Sequence, residues 1–180
     1  MKFWKVIITL IGIMRVLLVF LIFSRPYLAV VLSLFFDAFD SWIAYKAGFS
    51  WREYTRYDKL LDYWWYIFIL IFSRSEPIFG VMVILFVIRS IGQLITVVTG
   101  NDHYLFWFPN IFENYFLVYL IIKMFAPEFL TFFTGTGILI PLAISFVFKM
   151  PQEYVLHRNR NGWFYSKNAW PRSIKELIRK

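Results

Sequence analysis

Apolar residues fall in long runs separated by short polar breaks, and this pattern predicts a chain of helices rather than strands. After the basic start MKFWK, an apolar run from Val6 to Phe23 is interrupted by Arg15. It is too long for a cleaved signal peptide and lacks a small-residue cleavage site, so it reads as a first membrane-crossing helix. Residues 24–27 (SRPY) form a tight turn with Pro26 as the breaker. A second helix is expected from about Leu28 to Tyr45, a short polar connection over 47–53, and a third helix from about Tyr54 to Phe72. After a turn at 73–77, Pro77 suits the first turn of a fourth helix that runs to about Val98. A loop at 99–104 leads to a fifth helix, about Leu105 to Phe125, and a link to a sixth, about Leu130 to Phe148. The pattern therefore predicts an all-α integral membrane protein with six transmembrane helices over residues 1–148 and a polar tail over 149–180. The closing SIKELIRK fits a small amphipathic surface helix.

Composition agrees with the membrane class. Hydrophobic residues make up 60% of the chain and charged residues 17%, against nearer half and a quarter in soluble domains. Mean hydropathy is +0.62. With no cysteine, disulfides and thiolate metal sites are excluded. The two histidines, His103 and His157, are far apart with no partner at ligand spacing, which argues against zinc.

The net charge of +8 is uneven: the tail from Lys149 to Lys180 holds eight Lys/Arg against Glu153 and Glu176. On a chain of many apolar runs, such a tail suits a cytoplasmic membrane surface rather than nucleic acid. With both termini cytoplasmic (N-in/C-in), the inner side holds Lys2, Lys5, Lys46, Arg52, Arg56, Lys59 and the tail's eight, fourteen in all. The outer side holds three, Arg25, Arg74 and Lys123. This asymmetry predicts that orientation.

Chemistry concentrates between Asp37 and Asp62. Asp37 and Asp40 lie three apart near the end of the second helix; Asp58 and Asp62 lie four apart near the start of the third. Each pair shares a helix face, and the short connection lets the two pairs meet at the cytoplasmic end of a hairpin. Carboxylates in apolar sequence are costly unless compensated. They could cap helices or pair with Arg52, Arg56 or Lys59; two matched pairs are better explained by Mg²⁺ or Mn²⁺, hard ions that favour oxygen ligands. Such a site suits phosphoryl chemistry, with one carboxylate as a base.

The pairs are spaced D-x2-D-x17-D-x3-D, which resembles the signature of the CDP-alcohol phosphotransferases, D-x2-D-G-x2-A-R-x8-G-x3-D-x3-D. Asp37, Asp40, Asp58 and Asp62 fall in register and Ala44 falls on the signature alanine. Ser41 and Tyr54 stand at the two glycine positions and Tyr45 at the arginine. The motif covers 26 residues, and the six-helix layout with an arginine in the first helix (Arg15) and another in the fourth (Arg89) extends the likeness over most of the chain. The resemblance implies an enzyme of phospholipid biosynthesis that moves a phosphatidyl or phospho-alcohol group from a CDP-linked donor to an alcohol or lipid acceptor and releases CMP. It implies a two-ion site at Asp37, Asp40 and Asp58, with Asp62 assisting and taking the acceptor's proton. Ser41, Ala44, Lys46, Tyr54, Arg15 and Arg89 become candidate substrate contacts, and two copies pairing as a homodimer through their membrane helices become an expectation.

Other residues are weighed on their own. Glu113, with Asn114, could line an acceptor pocket or pair with Arg15. Asp102 and His103 are expected in a solvated loop, and the aromatics, Trp64 and Trp65 included, against lipid and at its interfaces. Gly135 and Gly137 suit close helix packing. Two other functions fit the same carboxylates: a cation-binding membrane transporter, or an inactive relative serving as a scaffold.

Overall fold

The computed structural model describes residues 2–154. The tail beyond Tyr154, with its expected amphipathic helix and His157, lies outside the described residues. All the secondary structure among the described residues is helical. Helix α1 (Lys2–Leu18) continues as a 3-10 segment (Val19–Phe23); α2 is Pro26–Ala47, α3 Trp51–Ser73 and α4 Phe79–Thr99. After a 3-10 segment (Asp102–Phe106) come α5 (Ile111–Phe125), two further 3-10 segments (Pro127–Phe133 and Gly135–Ile138) and α6 (Leu139–Glu153). Consecutive helices pack as hairpins: α1 on α2, α3 on α4, α5 on α6.

Local chemistry sets the boundaries. Pro26 opens α2 rather than standing in the turn before it, because its missing N–H is spare in a first helical turn. Gly48 ends α2 with φ of 89°, a conformation that costs glycine nothing. Ser50 and Glu53 then cap α3 reciprocally: Ser50 Oγ accepts from the Glu53 N–H, and Glu53 Oε2 accepts from the Ser50 N–H at 2.8 Å. The expected fifth and sixth helices are shorter than the apolar runs. Pro109 cannot donate, so helix restarts at Ile111 with Asn110 as N-cap. The sixth run breaks at Gly135, whose φ of 55° serves a bend rather than close packing.

Four helical stretches are long and apolar enough to cross a membrane: Lys2–Phe23, Pro26–Ala47, Phe79–Thr99 and Gly135–Glu153. Helix α3 is long enough but carries too many charges along its first half, and α5, at about 22 Å, is shorter than a hydrocarbon core. The four apolar helices mark a membrane protein, and the burial pattern agrees: Ile84, Leu94, Leu139 and Phe148 face outward, while Arg15, Asp40, Asp58 and Arg89 are buried.

The interior is layered. One apolar layer joins Ile8 of α1, Ile43, Ala44 and Ala47 of α2 and Tyr54 of α3. A larger one joins Val19 and Ile22 to Val30, Trp65, Ile69, Met82, Phe112, Phe116 and Phe133. Along α1, α2 and α3 the charged residues fall between the two: Arg15 between Ile8 and Val19, Asp37 and Asp40 between Val30 and Ile43, Asp58 and Asp62 between Tyr54 and Trp65.

At the other end of the bundle Glu76, in the turn after α3, accepts hydrogen bonds from Tyr119 and from Lys123 Nζ, the latter at 2.7 Å. Partial burial would raise the Glu76 pKa, but the bonds from Lys123 and Tyr119 outweigh it and hold the carboxyl below the usual glutamate value. A depressed folded-state pKa adds stability above the unfolded value, and that contribution fades as pH falls through the folded one. The unfolding midpoint of the solubilised protein should drop on acidification below the usual glutamate range, and Glu76→Gln should flatten that drop. Phe133 is fully buried, with edge contacts to Tyr115 and Tyr119. Phe133→Ala should cost about 3–5 kcal/mol in a denaturant titration in micelles.

Candidate functional site

Because the Ser50–Glu53 cap starts α3 at Trp51, Asp58 and Asp62 arrive on the face turned toward α2, where Asp37 and Asp40 point. Arg15 completes the layer from α1. Side chains on a helix lean toward its N-terminus, so the guanidinium reaches back from α1 toward the carboxylates. It bonds to all four: Nη1 to Asp40 Oδ2 and, at 3.2 Å, to Asp58 Oδ1; Nη2 to Asp62 Oδ1 at 2.7 Å and to Asp37 Oδ1 at 3.5 Å. Lys59 Nζ joins from α3, 2.6 Å from Asp58 Oδ2 and 2.7 Å from Asp62 Oδ2. Tyr54 donates its hydroxyl to Asp40 Oδ1 at 2.7 Å.

One carboxylate oxygen each from Asp37, Asp40 and Asp58 lies within 4.8 Å of the others. That is a hard-oxygen donor set of the kind that suits Mg²⁺ or Mn²⁺. Asp62 is outside this trio, with both oxygens engaged by Arg15 and Lys59. With all four carboxyls ionised, two bonded cations leave two negative charges in the layer, which a divalent ion would balance.

A cavity of about 120 Å³ opens beside the cluster. Its lining runs from Arg15, Asp37, Asp58 and Asp62 to Arg89, Glu113 and Glu153. This volume holds an ion with a few waters and is well below the roughly 300–1,000 Å³ of drug-sized ligand pockets. Tyr54, at a position where the resembled signature has glycine, is one of its walls.

The candidate substrate contacts divide into two groups. Arg15, Tyr54, Arg89 and Glu113 line the cavity. Arg89 Nη1 donates to the Phe108 carbonyl at 2.7 Å. Glu113 is paired with neutral donors and not with Arg15, accepting from Trp65 Nε1 at 3.0 Å and from Asn110 Nδ2 at 2.7 Å. Ser41 and Ala44 are buried but do not line the cavity, and Lys46 lies over the Trp42 ring, 5.9 Å from its centroid. Helical rotation turns Ser41 and Lys46 away from the Asp40 face, by about 100° and 120°; Ala44, one turn past Asp40, packs instead in the apolar layer with Ile43, Ala47 and Tyr54.

Three expectations are corrected. Asp102 is buried at 5% exposure and lines the cavity, so it is not a solvated loop residue. Trp65 is buried beside Glu113 rather than facing lipid. Glu153, assigned to the polar tail, is buried at the end of α6 and accepts from the Asn110 N–H at 2.8 Å. Pairing of the aspartates with Lys59, one of the alternatives to a metal, is present: its ammonium bridges Asp58 and Asp62. Its position next to Asp58 and three before Asp62 carried that signal; the roles of Asp102 and Glu153 depend on contacts between distant segments.

Searches against protein-family models, curated proteins and solved structures find no match for the chain.

Arg15→Gln would leave the carboxylates with one bonded cation. The ion-free variant should lose about 3–5 kcal/mol of stability. Added Mn²⁺ should raise its unfolding midpoint more than it raises that of the unaltered protein, as read by thermal unfolding in micelles.

Proposed function

We propose that the protein is an integral-membrane phosphotransferase that moves a phospho-alcohol group, such as phosphatidyl, from a CDP-linked donor to an alcohol acceptor and releases CMP. The convergence of Asp37, Asp40 and Asp58 within 4.8 Å, with Asp62 one turn away, carries this reading. The motif spacing adds the donor class. In this proposal α3 and α5 also span, enclosed by the four apolar helices, which makes six crossings with both termini cytoplasmic. The Lys/Arg asymmetry supports that orientation and puts the carboxylates toward the cytoplasm, where a nucleotide donor arrives.

Asp37, Asp40 and Asp58 would hold Mg²⁺ or Mn²⁺; such an ion, when bound, supplies neutralisation of the donor's diphosphate. With an ion held there, Arg15 would be released from Asp37, Asp40, Asp58 and Asp62, and its guanidinium would be a phosphate-binding group. The 120 Å³ chamber admits the diphosphate, and Tyr54 keeps the nucleoside outside. The acceptor oxygen forms the new bond to phosphorus as the bond to the CMP oxygen breaks. Asp62 takes the acceptor's proton on Oδ1, the oxygen that Arg15 vacates. Glu113, held by Trp65 and Asn110, orients the acceptor hydroxyl group.

The test is release of labelled CMP from CDP-diacylglycerol with Mg²⁺ or Mn²⁺ against a panel of alcohols. Asp58→Asn and Asp62→Asn should each lower the rate by about 10²-fold or more. Turnover by Asp62→Asn equal to the unaltered protein would remove its role as base. Failure to release CMP from any CDP-linked donor would overturn the reading in favour of an inactive scaffold or a cation-binding transporter.

A further inference from the structure

The bonding around the four aspartates is asymmetric, and the asymmetry bears on how many ions the site can hold. Arg15 comes from a different helix and reaches all four carboxylates from the end of a long side chain, so an entering ion can displace it. Lys59 is different. It stands on α3 itself, directly after Asp58 and three before Asp62, and its ammonium bridges one oxygen of each at 2.6 and 2.7 Å. Its side chain is only 14% exposed, and its backbone carbonyl accepts from Gln93 Nε2. The ammonium is tethered at the place where a second divalent ion would link Asp58 to Asp62. The trio of converging oxygens agrees, since it contains Asp37, Asp40 and Asp58 but not Asp62.

Charge leads to the same count. Arg15 and Lys59 offset two of the four carboxylates, and one divalent ion offsets the other two. With no donor bound, a second ion would leave the layer two charges positive between apolar layers, where unbalanced charge is costly. A separate observation points to a ligand in this cavity. Thr55, one turn before Lys59, is buried and lines the cavity, and its Oγ1 has no hydrogen-bond partner. A buried hydroxyl left in that condition fits a water of an ion's hydration shell.

We propose that this site takes a single divalent ion, at Asp37, Asp40 and Asp58, and that Lys59 permanently replaces a second. The proposal rests on the phosphotransferase reading and changes its ion count. Lys59 is a positioning residue: it holds Asp58 and Asp62 at a fixed separation.

The full chain in lipid nanodiscs, stripped of metal and titrated with Mn²⁺, tests this through calorimetric stoichiometry and electron paramagnetic resonance. The unaltered protein should bind one Mn²⁺ per chain and show the hyperfine pattern of an isolated ion. Lys59→Gln should bind two, with the broadening of an exchange-coupled pair, and Lys59→Arg should return to one. Two coupled ions in the unaltered protein would overturn the proposal while leaving the phosphotransferase reading intact. So would a single ion in a folded Lys59→Gln. No ion in the unaltered protein would overturn both. Should Lys59→Gln not fold, the stoichiometry and spectrum of the unaltered protein decide the matter alone.

Discussion

The bonds from Arg15 to Asp37, Asp40, Asp58 and Asp62 tie three helices together at one depth, and most of the bundle is arranged around them. Taking a carboxylate out of water costs several kcal/mol even after relaxation, and four close together also repel one another. The cost is offset because each cation serves more than one acid: Arg15 touches four and Lys59 two. The same sharing makes the arrangement sensitive, since loss of one cation unbalances several acids at once.

Around this layer the helices meet an environment that offers little drive for association. Lipid tails are as apolar as leucine, so packing and polar contacts have to hold helices together. The larger apolar layer is accordingly rich in interlocked rings, with Tyr66 and Phe86 both edge-on to Phe112 and Phe72 edge-on to Phe116. Polar clasps add to it: Arg56 of α3 donates to the carbonyls of Val97 and Val98 at the end of α4, and Glu76 takes Tyr119 and Lys123 of α5. The large apolar layer closes the bundle beyond the carboxylates, which suits a site reached from one side rather than a path through it.

The cavity's second wall has its own logic. Asn110 caps α5, donates to Tyr66 Oη and Glu113 Oε2, and offers its N–H to Glu153 of α6, so one side chain and its backbone connect three helices. It therefore holds Glu113 and Glu153 beside Tyr66 of α3, the helix that carries Asp58 and Asp62. The aspartate side is bonded mainly to cations and the Glu113 side mainly to neutral donors, a division that suits charge neutralisation on one wall and orientation of an uncharged hydroxyl group on the other.

The helices, their apolar exterior and the meeting of two aspartate pairs were legible in the sequence, because each depends on short-range periodicity: apolar runs long enough to cross a bilayer, and acids three or four apart on consecutive helices. Ser50 and Glu53 also carried a readable cap signal, S-x-x-E before the third run. Nothing local distinguished Asp102 or Glu153 from surface acids; both are buried because α4, α5 and α6 close over them, and that closure depends on contacts between distant segments. Likewise the sequence placed Arg15 in the first span, but only the packing of α1 against α2 and α3 decided that it faces four carboxylates instead of Glu113 or lipid. Periodicity tells which face of a helix is polar; the partner of that face is settled by how the helices pack.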